Sequence, residues 1–160
     1  MIKKISNLIN SSYVWFIAFL ILIFSNLLFN KAEATPTFVD SFSVASQETS
    51  PQSVAFNTDG TKMFVLGSAG DDVNEYTLST GFDVSTASFV DSFSVSGQET
   101  NPTGLAFNTD GTKMFVTGFA GDDVNEYTLS SGFDVSTASF VDSFSVSGQE
   151  IAPLGLAFNT

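Results

Sequence analysis

The sequence predicts an all-β chain, built from four-stranded antiparallel sheets behind an export leader. Three observations carry that expectation. A block of 51 residues, Phe38–Ser88, returns as Phe89–Ser139 with 42 of 51 positions identical, and its first 21 positions return once more as Phe140–Thr160. A fixed period near 50 residues marks an architecture of stacked repeats. Within each period, short apolar runs alternate with Gly, Asp and Ser/Thr turn signals at the spacing of strands and hairpins, and no stretch beyond the leader has the apolar period of a helix.

The leader comes first. Met1-Ile-Lys-Lys is a short basic start, and Tyr13–Phe24 (YVWFIAFLILIF) is an unbroken apolar run. Ala32-Glu33-Ala34 then places small residues at −3 and −1. This order of basic, apolar and A-x-A segments is that of a secretory signal peptide, with cleavage expected after Ala34. The run is short of the about 20 residues that a bilayer span needs. If retained, it would act as a membrane anchor, so the membrane enters only through the leader. Either way the repeats are expected outside the cytoplasm, secreted, periplasmic or on the cell surface. The domain organisation that follows is residues 1–34 as leader, 35–88 and 89–139 as two repeats, and 140–160 as the start of a third.

Inside one repeat the elements follow in order. Ser53–Phe56 is a first apolar run, and Asn57-Thr58-Asp59-Gly60 follows it. Asp-Gly between apolar runs is a strong hairpin signal, because Gly supplies the positive φ of the turn. Lys62–Leu66 is the second run and Gly67–Asp72 a loop. Val73–Leu78 is a third, alternating run, closed by Ser79-Thr80-Gly81. Phe82 and Val84 are expected to tuck against the sheet from a Ser/Thr-rich connection. Phe89–Val95 is the fourth run. The first two runs are apolar on both faces, which suits strands covered from both sides. The third and fourth are more polar and are expected to lie outermost. Four-stranded blades packed side by side around an axis, a β-propeller, meet both demands. A β-helix would use shorter rungs without hairpins, and a β-sandwich domain needs about 80–100 residues.

The segments Ala55–Val65 (AFNTDGTKMFV) and Ala106–Val116 resemble the AFSPDGKxLYV strand–turn–strand of bacterial exported propeller repeats, the YVTN-type and TolB-like families of the WD40-like superfamily. Val73–Ser88 is similar to the outer-strand part of those repeats. True WD40 repeats would show Gly-His and Trp-Asp pairs, but the chain has no His and only Trp15, in the leader. The resemblance covers Phe38–Thr160 and implies a ring of about six to eight blades. It also implies that Phe38–Val44, which repeats the fourth run, completes the last blade. The sequence stops inside the hairpin that continues with Asp-Gly in both earlier copies, so it reads as part of a longer array. Two repeats and a fragment are too few for a ring, and such a fragment is expected to self-associate.

Composition narrows the function. Beyond the leader sixteen acidic residues face two basic ones, Lys62 and Lys113, a net charge of −14. That field repels phosphate backbones, so nucleic acid is not an expected partner. The absence of Cys and His excludes disulfides, thiolate and imidazole metal sites, and a Ser-His-Asp triad.

Asp71-Asp72 and Asp122-Asp123, beside Asn74 and Asn125, are the candidate metal ligands. They are hard oxygens suited to Ca²⁺, although a full site takes about 6–8 oxygens. The other reading makes them a solvated loop. Asp40, Asp91 and Asp142 lie mid-strand among Phe residues, either bonded between blades or as charges that block edge pairing. Asp59 and Glu75 recur in each repeat, which argues for structure over catalysis, since an active site needs one constellation. Lys62 and Lys113 read as hairpin residues with snorkelling side chains. The leading expectation is an exported, non-catalytic binding or scaffold module with a protein or glycan ligand. The alternatives are a propeller enzyme (lyase, lactonase or hydrolase) with its active site in other blades, and a Ca²⁺-stiffened adhesin.

Overall fold

The computed structural model describes residues 35–158. The leader and its cleavage site lie outside the described residues, as do the last two positions. Among the described residues eight strands form two sheets of the same plan. β1 (Pro51–Phe56), β2 (Lys62–Gly67), β3 (Asp72–Leu78) and β4 (Ala87–Ser94) make the first sheet. β5 (Pro102–Phe107), β6 (Lys113–Gly118), β7 (Asp123–Leu129) and β8 (Ala138–Ser145) make the second. Each is a four-stranded antiparallel meander in chain order. The all-β expectation holds, and each expected run lies inside an observed strand except that Val95 falls just past the end of β4. The repeat boundary at Phe89 falls within β4, so a sheet takes its last strand from the start of the next repeat.

The local reasons are visible. Gly60 and Gly111 take φ of 72° and 71° in the Asp-Gly turns. The Asp59 and Asp110 carboxylates accept from the Thr61 and Thr112 amides at 3.0 Å and close those turns. Hydrogen bonding from these threonines holds both carboxyls below the ordinary aspartate range. Phe82 and Phe133 have φ of 61° and 58°, uncommon for so bulky a residue. Each ring lies over the turn glycine, where a Cβ would overlap it, and each amide donates to that glycine's carbonyl at 3.0 Å. Val84 packs on Met63, Val65, Tyr76 and Leu78, and Phe82 lies against the sheet as expected, 5.6 Å from Phe56 between centroids, yet stays 61% exposed. Phe133, its counterpart, is half-buried because a second sheet stands beside it.

The two sheets lie in one compact unit, Val39–Thr160. The main core lies between them: Phe64, Leu66 and Val73 of the first sheet meet Leu105, Met114, Val116, Tyr127, Leu129 and Val135 of the second. Phe64 packs tilted against Phe107 at 4.5 Å between centroids and stacks on Phe133 at 6.2 Å. Burying large rings against each other is worth more than their area alone. A smaller cluster, Met63, Val65, Tyr76 and Leu78, covers the other face of the first sheet.

Two expectations need correction. β3 is not an outer, polar strand: Val73, Asn74, Glu75 and Tyr76 are all buried, and it is β4 that lies exposed. The polar members of β3 are buried because each finds a partner. Phe38–Val44, identical in sequence to Phe89–Val95, forms no strand. Its Phe42 packs edge-on against Tyr76 at 5.6 Å, as Phe93 packs against Tyr127 at the same distance. The segment thus lies on the first sheet where β4 lies on the second.

Candidate functional site

Two groups of residues stand out: one joins the two sheets, and the other shapes one end of each sheet. The first is a clamp between sheets. Lys62 Nζ and Glu75 Oε1 are 2.7 Å apart, with Glu75 nearly fully buried. The other carboxylate oxygen accepts from the Val135 amide at 3.0 Å, and Lys62 Nζ donates to the Phe133 carbonyl at 2.6 Å. A charge pair on β2 and β3 therefore holds the 3₁₀ turn Val135–Thr137 of the neighbouring sheet. The equivalent Lys113–Glu126 pair, 2.6 Å apart, is 50% and 30% exposed and holds no turn. Lys62 is thus more than a snorkelling hairpin residue, and Glu75 is bound to Lys62 and the Val135 amide while Asp59 is bound to Thr61 in its turn.

The second group is at the end where β1 begins and β2 ends. Glu48 and Glu99 are 1% and 0% exposed. Glu99 accepts from the amides of Asn101 at 2.7 Å, Ala120 at 3.0 Å and Gly121 at 3.3 Å. Glu48 does the same for Ser50, Ala69 and Gly70. Each carboxylate pins the β2–β3 or β6–β7 loop to the segment before β1 or β5. Gly67 and Gly118 allow the approach, since a Cβ at either would overlap the glutamate. Sequence reasoning passed over both glutamates as connection. The one available signal was a Gly nineteen positions on in each copy, at a strand end.

Of the candidate metal ligands, Asp71 and Asp122 sit in these pinned loops and Asp72 and Asp123 open β3 and β7. Asp71 and Asp122 adopt φ of 48°, and their carbonyls accept from the Val95 and Val146 amides at 2.8 Å. Asp72 and Asp123 accept from Asn74 and Asn125 side chains at 2.6 and 2.7 Å. That bond accounts for the buried asparagines. Oδ1 of Asp71 and of Asp122 is buried with no hydrogen-bond partner. Among the described residues no group of three or more His, Cys, Asp or Glu is arranged to hold a metal ion. Asp40, Asp91 and Asp142 accept from the next serine's amide and stay exposed, bonding nothing between sheets.

No family model matches the chain, and no curated protein does.

The copies themselves mark the site. Phe38–Ser88 and Phe89–Ser139 differ at nine positions, and eight of these lie in the loop before β1, the first four residues of β1, the last two of β2, or the residue just after it. Only Thr80/Ser131 lies elsewhere. Three of the eight touch one another: Ser68 Oγ donates to Ser50 Oγ at 3.1 Å, and Gln52 donates to Ser68 Oγ at 3.2 Å. Their counterparts are Asn101, Thr103 and Phe119, the last 38% exposed. One end of each sheet therefore varies on a framework that the buried glutamates hold rigid.

Electrostatics at this end yield a prediction. Burial raises the Asp72 carboxyl above the ordinary 3.8, and the nearby Glu48 and Asp71 charges add to this, against the lowering bond from Asn74. A folded-state pKa above the unfolded one means that ionised Asp72 costs stability at neutral pH, and that the cost fades as pH falls through its folded pKa. Asp72→Asn keeps the oxygen that Asn74 needs. It is expected to raise Tm at pH 7, with the gain shrinking towards the acid range; thermal melts across pH check the trend.

Proposed function

We propose that the chain supplies adjacent blades of an exported β-propeller, of the YVTN-type or TolB-like kind, which serves as a non-catalytic binding or scaffold module at the cell envelope or outside the cell. The observation that carries this reading is the confinement of copy-to-copy variation to one pinned loop end. Repeats that keep their turns, their clamp residues and all of the core but the Val54/Leu105 and Leu66/Thr117 positions, while varying one end, present different side chains on a shared frame. The repeated carboxylates support a non-catalytic role, since Glu48, Glu75, Glu99, Asp59 and Asp110 each bond backbone amides. The strand plan supports blades: four-stranded meanders, stacked with their apolar faces together, are the propeller unit. The ligand is a protein or glycan, neutral or cationic given the acidic end, and no nucleic acid.

Binding arrays of extracellular proteins and glycans test this. Asn101→Ser with Phe119→Ser, which places the first copy's residues in the second, should leave the fold intact and weaken the captured ligand at least about tenfold, more than 1.4 kcal/mol. Unchanged binding would contradict the assignment of the site. Turnover of a generic ester or glycoside, lost on changing a single carboxylate, would replace the module with an enzyme.

A further inference from the structure

Each sheet has a face turned towards the next sheet and a face turned towards the preceding one. Inside the chain the forward face of the first sheet meets the backward face of the second. The forward face of the second sheet and the backward face of the first have no sheet against them among the described residues. Yet they carry the same side chains as the pair already in contact. Lys113, Phe115, Val124, Glu126 and Phe144 repeat Lys62, Phe64, Val73, Glu75 and Phe93. Met63, Val65, Tyr76, Leu78 and Val84 repeat Met114, Val116, Tyr127, Leu129 and Val135.

Both faces show the marks of a missing neighbour. Phe144 is 71% exposed, whereas Phe93 is half-buried on Tyr127. The Lys113–Glu126 pair stands open beside the closed Lys62–Glu75 pair. A groove of about 460 Å³ lies on the backward face of the first sheet, lined by Phe42, Val44, Val54, Met63, Val65 and Val84. At the same place on the second sheet, Phe64 and Leu66 complete the core. No side chain of the described residues accepts from the Val84 amide, while its twin Val135 bonds Glu75.

We propose that these two faces bind each other between copies of the chain, head to tail, by repeating the internal interface. This rests on the reading of the sheets as blades. Lys113 of one copy would donate to the Phe82 carbonyl of the next, and Glu126 would accept from the Val84 amide. Such a contact is heterologous, so successive copies turn in one sense towards a ring or an open stack. Two features make it weaker than the internal one. Leu66 is replaced by Thr117 and Leu105 by Val54, which reduces the apolar area on both sides. Two segments also stand in the way. Phe38–Val44 holds the place that β8 of a second copy takes, and Pro153–Phe158, with Phe158 on Phe115 at 4.9 Å, holds the place of its β1. Neither segment is paired in a sheet, although Thr103 Oγ1 donates to the Pro153 carbonyl at 2.6 Å; assembly requires both to step aside.

The chain has no cysteine, so disulfide trapping gives a clean test. Thr58 Oγ1 donates to the Thr109 carbonyl at 3.1 Å across the internal interface. Full chains carrying Thr58→Cys alone and Thr109→Cys alone are mixed in mild non-ionic detergent and oxidised. The linked heterodimer is expected at least about tenfold above either chain alone. Adding Lys113→Met to the Thr109→Cys chain should cut that yield severalfold, and adding Phe42→Ala to the Thr58→Cys chain should raise it. A mixed yield equal to the single-chain yields overturns the proposal, as does a yield indifferent to Lys113→Met. The double variant Thr58→Cys/Thr109→Cys separates the two levels of inference. If it closes within one chain while the mixture stays unlinked, only the assembly fails. If it does not close, the packing of the sheets as blades fails too.

Discussion

Glu75→Ala is expected to destabilise the two-sheet unit by about 3–5 kcal/mol, the cost of breaking a buried charge pair by removing one partner. Glu126→Ala, the same substitution at the same place in the next repeat, should cost less than about 1 kcal/mol, as an exposed pair does. The contrast is sharp because the charged pair and the β3 and β7 sequences are identical, β2 and β6 differ only at Leu66/Thr117, and the main difference is the neighbour. Removing the Glu75 carboxylate strands Lys62, which is 27% exposed, and leaves the Val135 amide without an acceptor. Removing Glu126 leaves Lys113 in water, with half its side chain already exposed. Urea unfolding of the two variants checks this. A cycle with Lys62→Met isolates the coupling of the pair from the loss of packing.

Glu99→Ala carries the second large effect, a loss of about 3 kcal/mol. A buried donor left without its acceptor costs about 1–3 kcal/mol, and Glu99 serves three. Ala120 and Gly121 lie at the exposed end of their loop and recover water in part, so the costs do not simply add. Glu99→Gln keeps one acceptor oxygen but turns an N–H₂ group towards an amide, and should fall at about 2 kcal/mol. Glu48, with the same three kinds of partner in the first copy, should respond alike, unlike the Glu75 and Glu126 pair. Ligand binding at this end should fall with Glu99→Ala even where most of the chain stays folded, because the loop bearing Phe119 loses its anchor. Denaturation curves and the binding array measure the two consequences separately.

The strands were legible because their signals are local. Asp-Gly turns and the alternation in Val73–Leu78 place them to within two residues in most cases. The period of 51 residues made the two sheets equivalent before either was seen. The buried glutamates were not legible, because nothing near Glu48 or Glu99 distinguishes a carboxylate in water from one enclosed by a loop 21 residues further on. β3 was read as outer for a related reason: Asn74 and Glu75 look like surface residues until Asp72 and the neighbouring sheet's turn are placed beside them. Phe38–Val44 was read as a strand from its identity with β4. The identity is real, but a strand needs a partner edge, and both described β3-type edges already have one. The candidate ligands recur at the same place in each copy, Asp71 and Asp122 in the loop but Asp72 and Asp123 as the first residues of β3 and β7. Their division into one aspartate with a positive φ and one bonded to an asparagine depends on backbone conformation, which composition does not encode.

Amide hydrogen exchange at Val84 and Val135 reports directly on whether consecutive repeats stand side by side and lock through a charge pair to the neighbour's turn. Both residues lie in the same local sequence, Gly-Phe-Asp-Val-Ser-Thr, so their intrinsic exchange rates match. Strong protection is expected at Val135, with loss of that protection in Glu75→Ala and little protection at Val84 in either protein. Equal protection at the two amides, or protection at Val135 that survives Glu75→Ala, would contradict that side-by-side lock.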